Sequence, residues 1–277
     1  MTTATMTHST AERAGLAGRS HERAVPAPIP FTRILGVELR KMFDTRSGFW
    51  LMASIVILNV IATGAVILFA PRDELTYETF ATAIGFPMSV ILPMIAVLAV
   101  SSEWSQRSAL TTFTLVPSRG RVIAVKAFLA VAIGVVSMLL AAAIGAVGNV
   151  IGSNIAGVDT TWNMPMVDFA LIILANVLGM LVGFMLGVVF RNSPGAIVGY
   201  FVFSFVLTGI AAALSAATEW FADNGAWLDF NTATGRLFEG ADDMTAQAWA
   251  QAGVTTLFWV AIPLAIGMRF LLRSEIK

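Results

Sequence analysis

Cysteine is absent from this 277-residue chain, which excludes both a disulfide framework and a thiolate metal site and leaves the redox compartment unread. Histidine is nearly as scarce: His8 and His21 both fall in the polar first thirty residues. Charge is thin too, at 12% of residues, where a soluble domain carries about 25%. Seventeen basic residues balance seventeen acidic ones, and no basic tract of the kind that grips phosphates is present, so nothing points to nucleic acid. None of the three lysines, Lys41, Lys126 and Lys277, follows a glycine. The chain therefore has no phosphate loop of the G-x-x-x-x-G-K-[ST] form, and it also has no His-Glu-x-x-His sequence. With no carboxylate pair at membrane depth to run acid–base chemistry, an enzyme is not expected in this chain, and no cofactor or metal is expected to be bound by it.

Apolar residues make up most of what remains, 57% of the chain, with a mean hydropathy of +0.80. A crossing helix needs about 20 apolar residues, because lipid offers backbone groups no partners and a central charge costs roughly 2.5–3.5 kcal/mol. Six charge-free windows of 22 to 32 residues meet that need. They place spans at 50–70, 82–102, 127–149, 169–190, 195–217 and 250–271, with kinks expected in the second at Pro87 and Pro93. The class is thus an all-α polytopic membrane protein. Fifteen of the Lys and Arg residues fall on the side of the chain termini, against Arg72 and Arg236 on the other. By the positive-inside rule both termini face the cytoplasm, and the protein is expected to be multi-pass in the cell membrane.

Residues 1–30, rich in Ala, Thr, Ser and Pro, read as a disordered cytoplasmic tail with no apolar core of a signal peptide, so the first span is expected to act as an uncleaved anchor. From 31 to 46, Phe31, Ile34, Leu35, Leu39, Met42 and Phe43 fall on one helical face, and Arg33, Glu38, Arg40, Lys41 and Asp44 on the other. That pattern predicts an amphipathic helix lying in the cytoplasmic interface, rather than a plain extension of the first span. The loop 103–126 carries Glu103, Arg107, Leu110, Thr111, Phe113, Thr114, Pro117, Arg119 and Arg121. Leu110, Phe113 and Thr114 share a face, and Pro117 and Gly120 stop the turn. A short protruding helix here has an apolar anchor and a polar rim, as a docking element needs, although an ordinary positively charged loop fits the residues as well. Gly179, Gly183 and Gly187 bare one face of the fourth span for close helix packing. Asn59 and Asn176 are expected to bond neighbouring helices. Trp220, Phe221, Trp227 and Phe230 predict short, half-inserted helices in the outer segment 218–249.

No ionisable residue lies deep in the six windows, which speaks against ion coupling; work done uphill must then come from a partner. The segment Val37-Glu38-Leu39-Arg40-Lys41-Met42 and the loop residues Glu103, Arg107, Leu110, Thr114, Leu115, Pro117, Arg119, Arg121 and Lys126 resemble the permeases of type 2 ABC transporters. The resemblance extends over most of residues 31–277, although Ser108-Ala109-Leu110 stands where the family commonly has Gly-Thr-Leu. It implies an exporter-like fold of six spans that pairs with a second permease half, as a homodimer or heterodimer, and rests on two copies of a cytoplasmic ATPase. ATP and Mg would be held in those partner subunits, with 103–118 as coupling helix and 31–46 as a second contact. It also implies export of an apolar or amphipathic substrate. A membrane scaffold or immunity protein that moves no cargo, and an ion-coupled carrier or channel, are the alternatives.

Overall fold

The computed structural model describes residues 30–105 and 119–273. Helix α1 (Phe31–Asp44) leads into α2 (Arg46–Phe69), which is followed by α3 (Tyr77–Ser105), α4 (Arg119–Ala156) and α5 (Met166–Phe190). After these come α6 (Ser193–Ala217), two short helices α7 (Glu219–Asn224) and α8 (Phe230–Gly235), and α9 (Ala246–Arg273). Helices α2 to α6 and α9 are long and apolar enough to cross a membrane. The chain is an all-α polytopic membrane protein. Helices α3, α4, α5 and α9 outrun their charge-free windows, by about two turns at the start of α4. Polar and charged end residues continue the hydrogen-bond ladder, so Lys126, expected just before the third span, sits two turns inside α4.

The helix boundaries follow from local chemistry. Thr45 accepts the Gly48 amide at 3.1 Å and caps α2, while Asn192 accepts that of Gly195 at 3.1 Å and caps α6 with Pro194 in its first turn. Both side chains satisfy amide groups that the first turn leaves open. Arg191 ends α5 in the left-handed region at φ 51°, which lets α5 and α6 turn back on each other in two residues.

Packing centres on α3. Pro87 and Pro93 both lie inside that helix, and Pro93 has no N–H for the Ser89 carbonyl one turn earlier. The Tyr200 hydroxyl of α6 donates to that carbonyl at 2.9 Å. Across from Pro93, α5 presents glycine. A Cβ at Gly183 would stand 2.5 Å from the Pro93 carbonyl oxygen, and one at Gly187 3.0 Å from that of Val97. Only bare backbone fits there. Met88, Leu92, Val100, Met180, Phe184 and Val188 fill the buried interface around them. Asn176 donates to the Ile172 carbonyl of its own helix at 2.9 Å rather than to a neighbour. Asn59, fully buried, has no partner for either end of its amide among the described residues. Neither asparagine makes an interhelical bond among the described residues: Asn176 takes the carbonyl that its own helix offers four residues back, and Asn59 makes none.

Candidate functional site

At the end of the bundle where α3 stops and α4 starts, four charged side chains meet. Glu38 of α1 contacts Lys126 of α4 at 2.5 Å and Lys41, one turn along α1, at 2.7 Å. Glu103, in the last turn of α3, lies 3.3 Å from Lys126 and 3.6 Å from Lys41. Glu38, Glu103 and Lys126 are all buried, whereas Lys41 reaches solvent. The cluster is neutral in sum, two carboxylates against two ammonium groups, which is what lets charge survive this burial. Burial pushes the Glu38 carboxyl up, but the Lys126 and Lys41 ammonium groups outweigh it and hold the carboxyl below its ordinary value of 4.5.

Helix α1 turns Glu38 inward because Ile34 and Glu38 form one buried stripe against α4, with Leu35, Leu39 and Met42 half-buried beside them. This corrects the expected polar face, on which Glu38 was placed with the basic residues. Opposite charge on another helix, 88 residues away, draws it in. Phe31, Arg33, Arg40, Lys41 and Phe43 remain exposed, and Phe31 also meets the Phe128 ring edge-on at 6.5 Å.

The same last turn of α3 is held from its other side by hydroxyls. Ser101 and Ser105 each pair with the Ser193 hydroxyl, at 2.8 and 2.9 Å, and Ser105 accepts the Ser193 amide at 3.1 Å. Ser101 and Glu103 are thus fixed to different neighbours. The root from which residues 106–118 depart is clamped by α1 and α4 through charge and by the first turn of α6 through hydrogen bonds.

Of the residues expected to meet a soluble partner, Glu103 is buried within the ion cluster and Arg121 is exposed on the first turn of α4. Arg119 begins that helix. Arg107, Leu110, Thr111, Phe113, Thr114 and Pro117 lie outside the described residues. Gly179, Gly183 and Gly187 lie on the α5 face toward α3, and a Cβ at Gly179 would stand 3.6 Å from Pro93 Cγ. Lys126 and the three serines had no place among the expected site residues. A charge-bearing Glu38 in an otherwise apolar i, i+4 stripe was the available signal. Among the described residues, no group of three His, Asp or Glu is arranged to hold a metal. No protein-family model matches the chain, and no curated protein matches it.

Proposed function

We propose that this chain is the transmembrane permease subunit of a type 2 ABC exporter. The observation that carries this reading is the double clamp on the last turn of α3, in which Glu103 pairs with Lys126 and Lys41 while Ser101 and Ser105 bind Ser193. A soluble motor pressing on residues 106–118 would meet a rigid root, and its displacement would pass at once to α1, α4 and α6 instead of being absorbed by a pliant loop. In this reading the clamped end faces the cytoplasm of a plasma-membrane protein, two ATPase subunits dock there with ATP and Mg, and a second permease half completes the pathway. The crossing helices supply apolar walls, which suit an apolar or amphipathic cargo.

The test is purification from the native membrane in mild detergent, followed by vesicle transport. An ATPase subunit in stoichiometric amount, lost on Arg107→Ala with Phe113→Ala, and ATP-dependent movement of a fluorescent lipid or amphipathic dye are expected. Movement driven by an ion gradient without ATP would replace this reading with a carrier. A captured partner without any ATP-dependent transport would leave a scaffold.

A further inference from the structure

Two of the crossing helices depart from α geometry at their middle. In α6 residues Val202–Val206 form a π-turn closed by the Leu207 amide on the Val202 carbonyl, and in α9 residues Leu257–Ala261 form another, closed by Ile262 on Leu257. A π-turn leaves a carbonyl without its usual partner four residues on, and inside a membrane such a group must find one elsewhere. The Asn231 side chain of α8 donates to the Phe203 carbonyl at 2.9 Å. From the second π-turn, the Trp259 indole donates to the Leu228 carbonyl at 2.7 Å. Residues 228 and 231 therefore bind both irregular turns at once. The rings close the same joint: Phe203 lies 5.7 Å from Phe230 and 5.6 Å from Trp259, tilted in one case and edge-on in the other. Phe203 and Phe230 are buried.

We propose that residues 228–231 act as a strap that holds α6 and α9 in their π-turn state, so that freeing the strap resolves the turn in α6. Once Asn231 leaves, the Phe203 carbonyl lacks a partner in lipid, and the helix regains one by closing the ordinary i, i+4 bond. Removing a one-residue bulge turns everything beyond it by about 100°. The piece beyond is mostly exposed: Gly209, Ile210 and residues 212–217 are exposed, a Cβ at Gly209 meets nothing within 4 Å, and Ala211 is the one buried residue that the turn would carry to a new face. Trp259 makes the switch a property of both helices, because the strap it holds is the one that carries Asn231. This inference does not rest on the exporter reading.

The absence of cysteine makes the protein suited to spin labelling at Leu214→Cys in α6 and Val254→Cys in α9, both exposed. In lipid nanodiscs, pulsed dipolar spectroscopy on this pair is expected to give one distance in the parent and a second population in Asn231→Ala. Trp259→Phe, which keeps a ring and loses the donor, is expected to produce the same second population. Hydrogen exchange should agree. Exchange rates of the 203–208 amides are expected to change by about five- to tenfold in Trp259→Phe as their acceptors change, although that residue donates no bond to α6, while those of α3 and α5 stay unchanged. An unaltered distance distribution in both variants overturns the strap. So does a change in exchange confined to 257–262 in Trp259→Phe, which would make the two π-turns independent.

Discussion

The Tyr200 hydroxyl repairs the carbonyl of Ser89 that Pro93 leaves open in α3. The bond joins a proline defect in one crossing helix to the first turns of another. It has a defined cost of removal, since Tyr200 is buried and the bond itself is partly shielded from solvent. Tyr200→Phe is expected to lower stability by about 1–3 kcal/mol, the range for orphaning a buried acceptor. In a Pro93→Ala background, where residue 93 regains its amide, the same change should be nearly neutral. Thermal unfolding in detergent of the four proteins of this cycle measures the difference.

Lys126 stands against two carboxylates, and its loss removes the buried ammonium group that faces both Glu38 and Glu103. Lys126→Met should destabilise by about 3–5 kcal/mol, as expected when one partner of a buried ion pair is removed. Adding Glu38→Gln to Lys126→Met should recover part of that loss, because one uncompensated buried charge goes with it. Two losses that simply add would show that Glu38 and Lys126 do not interact energetically, and the same detergent melts decide it.

Acid should release α1. The Glu38 carboxyl titrates below its ordinary value of 4.5 in the folded protein. A group depressed by folding adds stability in full above the unfolded value and loses it as the pH falls through the folded one. Stability in the parent is therefore expected to hold from neutral pH down to about the ordinary carboxylate range and to fall below it. In Glu38→Gln that acid limb should be shallower. The groups facing Glu38 are Lys126, Lys41 and, through both, Glu103, so the comparison rests on the difference between the two curves.

The parts of this structure that could be read along the chain are those set by local pattern. Six charge-free windows became six crossing helices because backbone satisfaction in lipid leaves an apolar stretch little other choice. The helix at 31–44 followed from its apolar spacing. What could not be read was set by partners distant in sequence. Glu38 sits among basic neighbours that made it look solvated, and its partner Lys126 looked like a loop residue because charge marked the window edge while the helix ran on to Arg119. The π-turns at 202–206 and 257–261 are one-residue insertions inside uncharged runs, where a slip of one position changes no charge pattern. By contrast, Pro93 did carry a signal for Tyr200. A proline inside a span implies an orphan carbonyl four residues earlier, and a span tyrosine is a natural donor to it.

Two glycines in crossing helices should answer to substitution in opposite ways. Gly183 of α5 faces the Pro93 backbone, and a Cβ there would lie 2.5 Å from its carbonyl oxygen. That oxygen belongs to a main chain fixed at both ends, so it cannot swing aside as the end of a flexible side chain can. Gly183→Ala must push α5 away from α3, opening the buried contact around Met180, Phe184 and Val188, and is expected to lower stability by about 1–3 kcal/mol as an overpacked core does. Gly64, five residues before the end of α2, meets nothing within 4 Å of an added Cβ. There Gly64→Ala only restricts the unfolded chain and improves helix propensity, with an expected gain of about 0.4–1 kcal/mol. Melting curves of the two variants beside the parent check the contrast. A Gly183→Ala protein as stable as the parent would mean that α5 and α3 do not approach as closely as bare backbone allows. A Gly64→Ala protein that lost stability would place a neighbour against α2 on that side, such as a second copy of the chain packed on its exposed face.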